Sequence, residues 1–178
     1  VLTGSIQAVM MPELIPDAEY LEFNAMPDLI VALNSNKIDA FGCDESLYTS
    51  MLWEGQVVDR IDEPLDKSNY GMIFPKGEKL TLQQEVNAYI AAIRADGRWE
   101  ALEKKWFGQK EPTEFTSYDG LEGTNGTITI ALNSATMPFV YLKNNQLVGF
   151  DVEFITGFAK EYGYAIRFED VAFASILG

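Results

Sequence analysis

Thr3-Gly4-Ser5 and Asp44 are the positions of this chain whose residue types could do chemistry together. The tripeptide follows Val1-Leu2, which reads as the end of a strand, and precedes a helical pattern running toward Met11-Pro12. A helix start presents amides without intrahelical partners and a partial positive charge. A glycine there lets a ligand oxygen approach the backbone, and the flanking hydroxyls add donors. A carboxylate or phosphate would then be held without a lysine. An ordinary serine cap is the plain alternative, and the tripeptide alone leaves it open. Asp44 closes the run Ile38-Asp39-Ala40-Phe41-Gly42-Cys43, which is expected to be a strand. Such a strand would end at the carboxyl edge of a sheet, where ligands sit in open α/β folds. A carboxylate at that edge can pair with an ammonium group. It also suits the N-cap of a helix starting at Glu45, and its lone pairs suffice for both roles. Together the two positions could hold the two charged ends of one amino acid.

Composition removes several other chemistries. The chain has no histidine, which excludes Ser-His-Asp catalysis and most zinc sites. Its single cysteine, Cys43, excludes an internal disulfide and a cysteine metal cluster. Without a histidine to activate it, Cys43 reads as a small buried apolar residue rather than a nucleophile. The acidic cluster Asp59, Asp62, Glu63 and Asp66 lacks the alternation and central glycine of a calcium loop, so it reads as solvated surface. Asp39 and Asp151 read as structural or solvent-facing, and Trp53, Trp99 and Trp106 as packing residues. Neither a metal nor a cofactor is expected. A formal net charge of −14 repels phosphate backbones and anionic lipids, which sets nucleic-acid binding aside. No apolar run reaches the ~18 residues that cross a bilayer.

The elements that must position these residues alternate at short spacing. Strands are expected at 1–2, 20–23, 38–43, 57–58 and 70–74, with helices after Ser5, from Pro27 to the Asn34-Ser35-Asn36 stop, and over 45–53. This alternation predicts an α/β fold with a mainly parallel sheet flanked by helices. Thr81 and Gln84 form a capping-box pattern before a helix with Leu82, Val86, Tyr89, Ile90 and Ile93 on one face. Gly97 breaks that helix, and Trp99, Leu102 and Trp106 continue on a second piece. Residues 108–126 are rich in polar and turn residues and read as a linker or extended loop. Beyond them come a strand over 127–132, a hairpin turning at Lys143-Asn144-Asn145-Gln146, a helix with Val152, Ile155, Phe158 and Tyr162 inward, a strand over 166–169, and a helix beginning at Phe173. Phe173 suits either a core or an aromatic wall over a ligand.

Read in order, these segments resemble the bacterial extracellular solute-binding proteins, family 3, which serve polar amino-acid ABC importers. Thr3-Gly4-Ser5 resembles the Thr-Gly-Ser that opens the family's second lobe. Ala32-Leu33-Asn34-Ser35-Asn36-Lys37-Ile38-Asp39-Ala40 resembles its "ALxxGKxDA" segment, and Asp44 falls on its ammonium-binding aspartate. Tyr70-Gly71-Met72-Ile73-Phe74-Pro75-Lys76-Gly77 resembles the hinge return "YGIAFPKG", and Trp106-Phe107-Gly108 the close of "DGTYxxIYxKWFG". Pro138-Phe139 and Val148-Gly149-Phe150-Asp151-Val152-Glu153 then resemble "PFxxxxxGxxxGFDVDL", which opens the family's first lobe. Asn133 falls where an aspartate often meets the ligand side chain, Phe173 on an aromatic that packs on the ligand, and Thr136 where many members stack a Tyr or Phe. At Thr136 this chain departs from that aromatic pattern.

The resemblance implies a periplasmic-binding-protein-like clamp for a free polar amino acid: glutamine, glutamate or a basic one. The implied ligand contacts are Thr3, Gly4, Ser5, Asp44, Asn133, Thr136 and Phe173. The family's "TxxR" segment has no counterpart here, and its opening segment follows its closing one. The expected organisation is therefore a junction in a tandem of two such domains. Residues 1–75 would be the second lobe of one domain, 76–108 its closing helices, 109–125 a linker, and 126–178 the start of the next first lobe. The implied protein is periplasmic or extracellular, membrane-associated at full length, and a partner of an ABC permease. A ligand-sensing clamp on a membrane receptor or kinase is the alternative, and no enzyme activity is expected, since no poised acid/base pair is visible. Unfinished sheet edges predict either that 127–169 packs on helices within 81–107 or that the fragment forms a swapped dimer.

Overall fold

The computed structural model describes residues 1–67 and 69–171, so the position of Phe173 and the helix expected after it lie outside the described residues. The chain divides into two compact units: residues 1–48 with 59–69, and residues 49–58 with the segment from 70 onward.

In the first unit, helix α1 (Ile6–Leu14) starts at Ser5, whose side chain accepts from the Ala8 amide. Tyr20 closes the other end, donating its hydroxyl to the Met11 and Ile15 carbonyls at 2.7 and 2.8 Å. The same carbonyls also accept from the Ile15 and Ala18 amides at 2.9 and 3.2 Å, so the tyrosine adds to an end that the backbone already closes. Helix α2 (Met26–Asn34) begins with Pro27 in its first turn and buries Leu29 and Ala32. It ends where Asn36 takes a left-handed φ of 56° and the Lys37 amide returns to the Ala32 carbonyl at 2.8 Å, the closure expected of a helix C-terminus. A parallel bridge joins Leu2 to Phe23, with the Thr3 amide donating to the Phe23 carbonyl at 2.8 Å.

The strands expected over 38–43, 57–58 and 70–74 are not formed, and 20–23 contributes only that bridge. A strand exists through its ladder partners. Among the described residues no neighbouring strand pairs with these runs, however strand-like their composition.

Helix α3 (Glu45–Trp53) leads into the second unit, where a parallel pair forms from strands beyond those of the expected alternation. Strand β1 (Thr127–Leu132) pairs in parallel with β5 (Ala165–Asp170), in a register running from Thr127 opposite Ala165 to Leu132 opposite Asp170. Between them the chain makes the antiparallel meander β2 (Ala135–Thr136), β3 (Val140–Lys143) and β4 (Gln146–Val148), then helix α6 (Phe150–Tyr162). The β3–β4 turn is Asn144-Asn145, with φ of 51° and 64°, the doubly left-handed geometry that a two-residue hairpin favours and asparagine tolerates.

Helices α4 (Leu80–Ala95) and α5 (Arg98–Trp106) pack on this α/β layer. Val86, Tyr89 and Ile93 of α4 meet Ile128 of β1 and Phe154, Ile155 and Phe158 of α6 in one core. Trp106 of α5 is 1% exposed, and its indole donates to Glu153 of α6 at 3.0 Å, beside Lys105 at 2.6 Å from the same oxygen. This is the packing expected of 127–169 on the helices within 81–107. The Thr81–Gln84 capping box does not form: α4 starts at Leu80, so Thr81 already lies inside the helix, and Lys79 holds the cap position at a φ of 54°. Gly97, at a φ of 86°, separates α4 from α5 as expected.

The polar stretch 109–125 is an extended loop tied to this unit. Glu111 accepts from the Tyr141 hydroxyl at 2.9 Å and from Lys143 at 2.6 Å. Phe115 stacks on Trp106, and Tyr118 meets Phe168 edge-on. Among the described residues no helix is long and apolar enough to cross a membrane.

Candidate functional site

The sequence-identified residues fall into two groups, one in each unit. In the first unit, Gly4 turns the chain with a left-handed φ of 75° between the Leu2–Phe23 bridge and α1. The backbone takes up part of the donor set expected here. The Thr3 amide donates to Phe23, and the Ser5 amide to the Leu2 carbonyl at 3.1 Å. The Gly4 amide has no partner among the described residues, and Thr3 and Gly4 are exposed. Ser5 accepts from the Ala8 amide through its hydroxyl oxygen at 3.2 Å, which leaves the chemistry of an O–H donor on the same side chain. An anion at this turn would therefore meet the Thr3 and Ser5 hydroxyls and the Gly4 amide, rather than a run of consecutive amides.

Asp44 lies at the start of α3, where its carbonyl accepts from the Leu47 and Tyr48 amides at 3.0 and 3.2 Å. Its carboxylate accepts from Gln7 Nε2 at 2.9 Å. Gln7 stands in the first turn of the helix that Ser5 caps, so one side chain links the Thr3-Gly4-Ser5 turn to the Asp44 carboxylate. Sequence reasoning missed Gln7. Its only signal was its place in the first turn after the cap, and the pairing spans a sequence separation of 37.

The neighbouring Cys43 is no nucleophile here. Burial, with the adjacent Asp44 carboxylate adding to it, pushes its thiol up to about 11, so at neutral pH the reactive thiolate is scarce.

In the second unit, Asn133 and Thr136 come together just past the carboxyl end of β1. Asn133 Nδ2 donates to the Val171 carbonyl at 2.9 Å. Its Oδ1 faces the Ala135 amide at 3.3 Å and the Thr136 hydroxyl at 3.4 Å. Ser134, between them, donates twice to Asp170 at the end of β5: from its amide at 2.9 Å and its hydroxyl at 2.6 Å. These bonds, the hydroxyl first, hold the Asp170 carboxyl below its ordinary value. Both strand ends lie on the carboxyl edge of a parallel pair, the edge that serves ligands in open α/β sheets. Ser134 and Asp170 were not singled out from the sequence, because their meeting depends on the β1–β5 register.

Residues 128–178, from β1 onward, match the bacterial extracellular solute-binding proteins, family 3. Over that segment the chain is similar to the family 3 solute-binding proteins. The match spans β1 to β5 and includes Asn133, Thr136 and the position of Phe173. The chain is also 30% identical, over 111 residues, to the ABC transporter glutamine-binding protein of Bacillus subtilis. That alignment takes in 62% of the chain and 40% of the relative, so the chain spans well under two thirds of the curated relative it matches. The match falls on the α/β part of the second unit, a parallel strand pair with α6 as its crossover helix.

Proposed function

We propose that the protein carrying this chain binds a free polar amino acid outside the cytoplasm and hands it to the membrane permease of an ABC importer. The observation that carries this reading is the family 3 match over β1–β5, together with the similarity to a glutamine-binding protein. In it, Asp44 neutralises the ligand ammonium, and the Thr3 and Ser5 hydroxyls with the Gly4 amide receive the carboxylate. In the clamp that 126–178 opens, Asn133, Thr136 and Phe173 face the side chain of that clamp's own ligand. The ligand belongs to the glutamine, glutamate or basic amino-acid class, and the role is binding rather than catalysis. The protein is periplasmic or extracellular and membrane-associated at full length.

The same reading keeps the tandem organisation: 1–75 and 76–108 close one clamp, 109–125 connects, and 126–178 opens the next. Tandem clamps also suit a ligand-sensing module on a membrane receptor or kinase, and the sequence beyond residue 178 separates the two outputs: permease helices for one, a kinase for the other. Calorimetric titration of the twenty amino acids into the full-length protein tests the binding reading. A tight response to one member of the stated class is expected, and silence across all twenty would sink it.

A further inference from the structure

Asp170 contacts the chain in a way that reaches past its own strand. It ends β5 opposite Leu132, the last residue of β1. Its two oxygens divide between the amide and the hydroxyl of Ser134, at 2.9 and 2.6 Å. Asn133 Nδ2, one residue earlier, bonds the Val171 carbonyl one residue later, and the Val171 amide donates back to the Leu132 carbonyl at 2.9 Å. The turn after β1 is thus fastened to the end of β5 by its side chains as well as by the ladder. A carboxylate that accepts two donors from one residue fixes that residue's backbone and side-chain direction at once. Ser134 lies between Asn133 and Thr136, so fixing it limits where both can point.

We propose that Asp170 is a positioning residue for the amino-acid site: it locks Ser134 and so pre-sets Asn133 and Thr136 for the ligand. The proposal rests on the reading of Asn133 and Thr136 as ligand contacts. Pre-setting matters because each side chain ordered on binding costs affinity. Asp170→Ala frees the whole turn. Asp170→Asn keeps one oxygen to accept from Ser134, and Ser134→Ala keeps the amide bond while losing the hydroxyl.

The test uses the full-length protein with two readouts: amide hydrogen exchange at Ser134 and Ala135, and calorimetric titration with glutamine as the probe. In Asp170→Ala, exchange at Ser134 should accelerate while the β1 and β5 ladder amides keep their protection. Glutamine binding should weaken about three- to tenfold, and Asp170→Asn should recover part of both effects. Unchanged exchange at Ser134 would overturn the lock itself. Faster exchange with unaltered glutamine affinity, in a protein whose Asn133→Ala variant loses binding, would overturn the positioning role and leave the binding reading intact. If Asn133→Ala binds as tightly as the parent, or the parent takes no member of the glutamine, glutamate and basic amino-acid class, the reading beneath the proposal fails and the positioning role with it.

Discussion

Asp44 and Gln7 are brought within 2.9 Å by the fold of the first unit, and the consequence is testable at the level of one side chain. A carboxylate bonded to a ligand ammonium contributes roughly 1.5–3 kcal/mol. Asp44→Ala in the full-length protein should therefore weaken amino-acid binding by at least about tenfold. Calorimetry checks this, and retained affinity would return Asp44 to a helix-starting role. One residue away, Cys43 yields a pH prediction. Its thiol titrates near 11 in the folded chain, against 9.0 for the unperturbed group. The unfolded chain thus ionises first as pH rises. The stability that the neutral buried thiol contributes is complete below about 9 and is lost as pH climbs toward about 11. Alkylation by iodoacetamide should be slow at neutral pH and accelerate along the same interval; a fast reaction at neutral pH would contradict it. The residue types at Thr3, Gly4, Ser5 and Asp44 were legible in the sequence. The engagement of the Ser5 amide by Leu2 was not, because a local pattern does not say which donors the chain itself consumes.

At the scale of elements, the join between β4 and α6 is the most demanding. Gly149 has a φ of 137°, and a Cβ there would run into the Phe139 carbonyl oxygen. The same crossing lets the Phe150 and Asp151 amides, at the start of α6, donate to the Pro138 and Phe139 carbonyls, both at 3.0 Å. Gly149→Ala should cost about 2–5 kcal/mol from backbone strain and overlap together. Urea unfolding followed through the second-unit tryptophans would measure it, and a loss under about 0.5 kcal/mol, the range of an ordinary surface change, would mean the loop yields. Helices were the more legible elements. The stripe Val86, Tyr89 and Ile93 buries as its spacing implies, since a helix makes its own hydrogen bonds. The runs at 38–43, 57–58 and 70–74 have strand composition but no ladder, since strand partners come from elsewhere in the chain.

For the molecule as a whole, the two units bury unequal cores. In the first, α1 buries none of its residues and α2 only Leu29 and Ala32. Ile6 and Val9 on α1 are 65% and 68% exposed, so apolar surface remains that association can remove from water. The formal net charge of −14 opposes that association, and salt screens it. This chain expressed as it stands should therefore gain apparent mass in sedimentation velocity as its concentration rises, and more so at high salt. A constant monomer mass under both changes would show that the exposed faces do not associate. By itself the sequence determined the α/β class, the family resemblance, the helices and the acidic character. Those follow from residue order, local periodicity and charge, each of which is complete in the one-dimensional string. Only the tertiary structure decided which strands find partners, that the polar stretch 109–125 is bound down by Glu111 and Phe115, and that Gln7 meets Asp44 and Ser134 meets Asp170. Those meetings join residues far apart in the chain, and only the register and packing of whole elements bring them within hydrogen-bonding distance.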